Sequence, residues 1–164
     1  MLGSALFFAA APGVVAGLVP WGITRWTLQP AFFGWQSLRM IGVMLIIAGV
    51  LELLDSFARF ALQGLGTPAP IAPPRHLVVT GAYRYVRNPM YLAVLATVLG
   101  QALLLGNRGL LTYAFLSWVF FHAFVVGYEE PALHRAFGTQ YDTFTSNVRR
   151  WIPRLTPWRA ERRS

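Results

Sequence analysis

Residues 90–128, MYLAVLATVLGQALLLGNRGLLTYAFLSWVFFHAFVVGY, hold two long apolar runs, with Asn107 and Arg108 as the break between Gly106 and Gly109. A helix needs roughly 20 mostly apolar residues to cross the ~30 Å hydrocarbon layer. Met90–Gly106 and Gly109–Tyr128 are therefore read as membrane helices, and so short a connection makes them a tight antiparallel hairpin. Working upstream, two more stretches pass the same test. Leu2–Ile23 carries Pro12 and Pro20, which lipid tolerates when neighbours re-satisfy the freed backbone groups. A cleaved signal peptide is its rival, but no basic residue precedes Arg25. Leu38 to about Leu62 is apolar through Leu51, then carries Glu52, Asp55 and Arg59 on one face, the last two at the i,i+4 spacing of an ion pair. Gly42, Ala48 and Gly49 permit close helix contact without settling an oligomeric state.

The whole composition agrees with a bilayer. Of 164 residues 55% are hydrophobic, and the mean hydropathy is +0.49, too apolar for an ordinary soluble domain. The net charge of +8 comes from 14 basic residues, all arginine, against 6 acidic ones. Absence of cysteine excludes a disulfide scaffold, a thiolate metal site, a cysteine nucleophile and a lipidated anchor. Gly64 to Asn88 is rich in Gly and Pro and reads as a long loop, with Leu77–Thr80 extended and a turn at Gly81. Beyond Glu130, Leu133, Phe137, Tyr141 and Phe144 recur at helical spacing beside Arg135, Arg149, Arg150 and Arg154. That pattern predicts one interfacial helix, followed from Trp158 by a frayed basic tail.

The expected fold is thus all-α: one membrane domain over 1–164, with two scaffold helices in 1–63, a loop in 64–89, the hairpin in 90–130 and an interfacial helix and tail in 131–164. Arg75, Arg84, Arg87 and the tail arginines outnumber Arg25, Arg39 and Arg108 on the other side. The positive-inside rule then places the four spans with both termini cytoplasmic; the expected location is a bacterial inner membrane. No base-reading motif accompanies the charge, so lipid headgroups explain it better than nucleic acid.

Two features exceed what spanning requires. One is the run Gly81-Ala-Tyr83-Arg84-Tyr85-Val-Arg87-Asn88-Pro89-Met90-Tyr91, where Pro89 suits a helix start. The other is Glu129-Glu130, two adjacent carboxylates at the negative end of an apolar helix, which demand a cation nearby. That cation is either an arginine clamping the cap or the charged centre of a ligand. His76, His122 and His134 show no ligand spacing, so no metal site is expected, and no nucleophile elbow or hydrolytic triad is present.

Arg87-Asn88-Pro89-Met90-Tyr91, the hairpin, and Glu129-Glu130-Pro131 followed by Leu133, Phe137, Gly138 and Tyr141 together resemble the isoprenylcysteine carboxyl methyltransferase and phospholipid methyltransferase group of membrane enzymes. Gly100, Gln101 and Asn107 also match in type, and the likeness covers about Arg75 to Arg154. The resemblance implies S-adenosylmethionine as methyl donor and a hydrophobic or lipid acceptor at the cytoplasmic face. It assigns Arg75, His76, Leu77, Val78, Tyr83, Asn88, Pro89, Met90, Tyr91 and Glu129 to the cofactor, and Arg87 and Glu130 to orienting the acceptor. A sulfonium with an ammonium group suits carboxylate and aromatic faces, and its carboxylate suits arginine or backbone donors. No Gly-rich dinucleotide fingerprint is present, as this family would have it.

Two positions depart from the family pattern. Asn88 replaces the motif histidine, keeping a hydrogen-bonding side chain that cannot become charged. Val125 stands where eukaryotic carboxyl-methylating members place an arginine, which argues against a prenylcysteine carboxylate and for an amine, thiol or other lipid-borne acceptor. His122, two turns or about 10.5 Å before Glu129 on one face, joins Val125 as a substrate-pocket candidate, with a buried interhelical histidine as its alternative. The rival functions are an NADPH-dependent oxidoreductase like the membrane sterol reductases, which are much longer, and a non-enzymatic membrane scaffold.

Overall fold

In the computed structural model, which describes residues 11–62 and 77–159, every regular element among the described residues is helical. We number the helices α1 (Ala11–Thr24), α2 (Ser37–Leu62), α3 (Pro89–Leu105), α4 (Arg108–Phe124), α5 (Glu130–Phe137) and α6 (Thr139–Asn147). Leu77–Val79 has no regular structure, Thr80 is extended, and a 3-10 turn, Gly81–Arg84, leads into α3.

Lipid tails are as apolar as leucine, so membrane helices associate through close backbone approach rather than through hydrophobic burial. The antiparallel pair α2–α3 follows that rule. A Cβ added at Gly42 would lie 2.6 Å from Gly100 O, and one at Gly49 would lie 2.6 Å from Ala93 O. The opposite face of α2 leaves Met40, Met44, Ile47, Leu51 and Leu54 exposed. Ser37–Arg59 and the continuous helical stretch Arg108–Phe137 are long and apolar enough to cross a bilayer, whereas Ala11–Thr24 and Pro89–Leu105 are shorter. At 17 residues, α3 reaches about 26 Å, less than the ~30 Å layer.

The expected hairpin is present. Gly106 turns the chain at φ +69, lying against Pro30 O where no side chain would fit, and Asn107 caps α4 by accepting the Leu110 N–H at 3.0 Å. The segment joining α1 to α2 closes over this end: Gln29 N–H donates to Leu105 O at 2.9 Å, and Arg39 donates to Gln29 O at 2.6 Å.

Two π-turns interrupt the helices, Val14–Leu18 in α1 and Val125–Glu129 between α4 and α5. Each ends two residues before a proline, Pro20 or Pro131. In the first, Val19 N–H bonds to Val14 O, and Pro20 has no N–H, so Val15 O loses its helical partner and Ala16 O loses its ordinary one. Neighbouring helices supply both missing donors. The Tyr113 hydroxyl reaches Val15 O at 3.0 Å, and Gln101 Nε2 reaches Ala16 O at 2.7 Å.

The C-terminal part departs from the expected single interfacial helix. Gly138, at φ +51, breaks it into α5 and α6, a backbone region that glycine enters without strain. Nor is Trp158 frayed: its N–H donates to Arg84 O at 2.9 Å, and its ring packs 5.7 Å from that of Phe144. Tyr141, Phe144 and Val148 form a small core of their own, covered by Leu77 and Val79 from the loop.

Candidate active site

The start of α3 is fixed by its sequence. Asn88 occupies the cap position and Pro89 the first turn, where a missing N–H costs nothing. Upstream, Gly81 stands at φ +57 beneath Arg59, whose Nε would lie 2.5 Å from an added Cβ. Arg59 itself is paired with Asp55 at 2.6 Å, as the i,i+4 spacing predicts. Glu52 accepts a 3.0 Å bond from the buried Ser56. This end of α2 therefore seats the 3-10 turn that carries Tyr83.

The π-turn rotates the chain at the end of α4 so that the two glutamates diverge. Glu129 Oε2 accepts the Tyr91 hydroxyl at 3.0 Å, and the Tyr91 ring lies 4.8 Å from that of Phe121. Burial first, then the Glu129 charge, push the Tyr83 hydroxyl well above its ordinary pKa, so Tyr83 remains a hydrogen donor in Glu129's field. Glu130 turns to the arginines. Arg87 Nη1 donates to Oε1 at 3.0 Å, and Arg150 grips both oxygens, Nε to Oε1 at 2.7 Å and Nη2 to Oε2 at 2.8 Å. The bidentate fork raises the Arg150 pKa further, chiefly through that hydrogen bond. Tyr141, buried beside this cluster, is pushed up to about 12 by burial, with the Glu130 charge next.

Past α6 the chain runs back as a strap along the segment before α3. Arg87 N–H donates to Arg149 O at 3.0 Å and Arg154 N–H to Tyr85 O at 2.9 Å. Asn88 Nδ2 donates to Arg150 O at 3.2 Å. The strap delivers Trp151, whose Nε1 donates to His122 Nδ1 at 3.0 Å, while Trp118 stacks on the other side of His122 at 5.6 Å. Accepting at Nδ1 puts the proton of the neutral imidazole on Nε2.

Of the residues singled out from sequence, Tyr91 meets Glu129 and Arg87 meets Glu130, as two separate pairs. Asn88 and Pro89 are buried beneath them. Met90 is half-buried in the first turn of α3, and Val125 is 1% exposed inside the bundle. Leu77 instead covers the Tyr141 core, with Val78 half-buried beside it. Arg75 and His76 lie outside the described residues. Arg150 and Trp151 were not among the expected site residues, and only the Arg-Arg-Trp run at 149–151 hints at them. Among the described residues no cluster of three His, Cys, Asp or Glu side chains could hold a metal.

Residues 38–140 match the sequence profile of phospholipid methyltransferases, a span from the second residue of α2 to α6 that contains both glutamates and the start of α3. The chain belongs to that family. Among curated relatives, the protein-S-isoprenylcysteine O-methyltransferase of Schizosaccharomyces pombe is 38% identical over 80 residues, which is 48% of this chain and 34% of that protein. The match thus spans about a third of the relative's length. No solved structure matches the chain.

Proposed function

We propose that this family member transfers a methyl group from S-adenosylmethionine to a hydrophobic or lipid-borne acceptor at the cytoplasmic membrane face. The observation that carries this reading is the Tyr91–Glu129 pair, a carboxylate with an aromatic partner where α3 begins and α4 ends. A sulfonium and an ammonium both need such a setting, so the residues present fit the cationic parts of the donor. Bound there, S-adenosylmethionine supplies an electrophilic methyl on a positively charged sulfur. Glu129 faces the cation, Tyr83 and Tyr91 wall it, Asn88, Pro89 and Met90 form the floor, and Arg75, His76, Leu77 and Val78 belong to the covering loop. Methyl displacement needs alignment at about 3 to 3.5 Å and exclusion of water more than a strong base.

Arg87, anchored by Glu130, orients the acceptor in this proposal, while His122 offers its Nε2–H and Val125 an apolar wall. Valine at 125 supports an amine, thiol or other acceptor over a prenylcysteine carboxylate. The two shorter helices complete a four-span bundle with both termini cytoplasmic, which the distribution of arginines supports.

Calorimetry in detergent tests the donor site. S-adenosylhomocysteine should bind, NADPH should not, and Glu129→Gln should weaken binding roughly tenfold or more, the loss of one charge-assisted contact. Binding of NADPH alone would overturn the reading in favour of an oxidoreductase. Labelled donor incubated with purified protein and total lipid extract should mark the acceptor, and transfer to no lipid, thiol or amine would refute it.

A further inference from the structure

Trp151 touches both halves of the candidate site. Its ring meets that of Tyr91 edge-on at 6.5 Å, and Tyr91 carries the hydroxyl that Glu129 accepts. On its other flank the indole N–H donates to His122 Nδ1 at 3.0 Å, and His122 lies between this indole and that of Trp118, at 6.2 and 5.6 Å. Contacts therefore run unbroken from Glu129 through Tyr91 and Trp151 to His122. Trp151 also packs against the buried cluster of Leu53, Ala93, Val94 and Phe121, wedged between the start of α3 and the last turn of α4.

The backbone that carries it is held to the same site. Arg149 O accepts the Arg87 N–H, Arg150 O accepts from Asn88 Nδ2, and the Arg150 guanidinium grips Glu130. Trp151 is the next residue along. An indole N–H donates and accepts nothing, so the nitrogen it meets must offer a lone pair. A proton on His122 Nδ1, in the other tautomer or in the imidazolium, would set two N–H groups against each other. His122 is thereby excluded as the group that takes a proton from the acceptor: Nδ1 is engaged, and Nε2 already holds one. Donation from Nε2 remains, which suits an acceptor with an oxygen or other lone pair beside the atom that is methylated.

We propose that Trp151 is a positioning residue for methyl transfer, which holds His122 as a fixed, neutral Nε2–H donor to the acceptor and steadies Tyr91 against Glu129. One indole then sets the acceptor and the donor relative to each other. Methyl displacement depends on alignment, and a rigid partition between the two ligands supplies it. The proposal rests on the transferase reading above and adds that the acceptor presents a lone pair, not a proton, to His122.

Ring-¹⁵N histidine reports the tautomer directly. In a long-range ¹H–¹⁵N spectrum in detergent at about pH 8.5, above the ordinary imidazole range, His122 should show one form, Nε2–H, assigned by its loss in His122→Phe. Trp151→Phe keeps a ring against Tyr91 but removes the donor, and should let the Nδ1–H form appear. A mixture in the unaltered protein, or no change in Trp151→Phe, would overturn the proposal. For the reaction, the fraction of lipid extract that labelled donor marks serves as acceptor. Trp151→Phe should raise its KM about fivefold, the worth of one neutral hydrogen bond, with S-adenosylhomocysteine affinity unchanged. Trp151→Ala should weaken both, because Tyr91 also loses its brace. In the His122→Phe background, Trp151→Phe should add nothing further, since the two act through one contact. Additive losses, or a loss of donor affinity in Trp151→Phe equal to its loss for the acceptor, would reduce the indole to a space-filler and overturn the proposal. If Trp151→Phe does not fold, His122→Phe alone should raise the acceptor KM at least as much, and an unchanged KM there would overturn it too. A fixed tautomer with no transfer to any acceptor would refute the transferase reading and leave the hold of Trp151 on His122 standing.

Discussion

Pro20 and Pro131 stand two residues beyond π-turns of equal length, Val14–Leu18 and Val125–Glu129, yet their surroundings differ in kind. Around the first, α3 and α4 lend Gln101 and Tyr113 to the freed carbonyls, and no charged group takes part. Around the second the charges crowd in: Glu129 with Tyr91, Glu130 with Arg87 and Arg150. In lipid an unsatisfied backbone group costs several kcal/mol, so a scaffold break is sealed from within. π-turns are enriched at functional sites, and of the two among the described residues the second lies beside the candidate site.

The largest effect should come from removing the charge that organises the second break. Glu130→Ala leaves Arg87 and Arg150 without their shared carboxylate, in a setting where the Arg87 and Glu130 side chains are only 14% and 18% exposed. Breaking such a pair costs about 3 kcal/mol. The strap, tied to the same cluster, should loosen, and thermal unfolding in detergent would show a lowered, broadened transition. An unchanged midpoint would mean the arginines find water as readily as the glutamate, and the contrast between the breaks would lose its electrostatic half.

Next in size is the unsealing of the first break. Gln101→Leu removes the 2.7 Å bond to Ala16 O and leaves a half-buried carbonyl exposed to apolar surroundings, a cost of about 2 kcal/mol. Stability should fall while S-adenosylhomocysteine affinity stays the same, since the change touches the scaffold alone. A weakened affinity in a folded variant would show that α1 communicates with the site, and the division into scaffold break and site break would fail.

Much of this arrangement was legible in the sequence, for a physical reason: hydropathy runs, a Gly-Asn break and i,i+4 charges are local signals. The hairpin, the Asp55–Arg59 pair and the meeting of Arg87 and Tyr91 with the glutamates follow from helix ends that short connections hold together. The π-turns were not legible, because one extra residue per turn leaves apolar content unchanged while rotating everything beyond it. That rotation sends Glu129 and Glu130 to different partners, where sequence alone treats them as a doublet. An arginine clamp on the glutamates was foreseen, but Arg150 was not singled out among the tail arginines nor Trp151 at all, because their partners, Glu130 and His122, are remote in the chain. Gly138 is different. Its signal was present in the sequence, a glycine in the middle of a helical pattern, but regular spacing on both sides concealed the break.

The smallest expected effect makes the finest test of the comparison. Pro20→Ala restores an N–H that the first π-turn lacks, just as Pro131→Ala does in the second. At Pro20 the carbonyls already have donors in Gln101 and Tyr113, so the new N–H adds little. The unfolded chain meanwhile gains freedom that proline denied it, worth at most about 1 kcal/mol against folding. Unfolding in detergent should therefore shift only slightly, and donor affinity and acceptor KM should both hold. Were Pro20→Ala to alter the acceptor KM, the donors that Gln101 and Tyr113 lend to the first break would not be what sets it apart from the second. Proline itself, as a kink that sets helix direction, would then link the first break to the site.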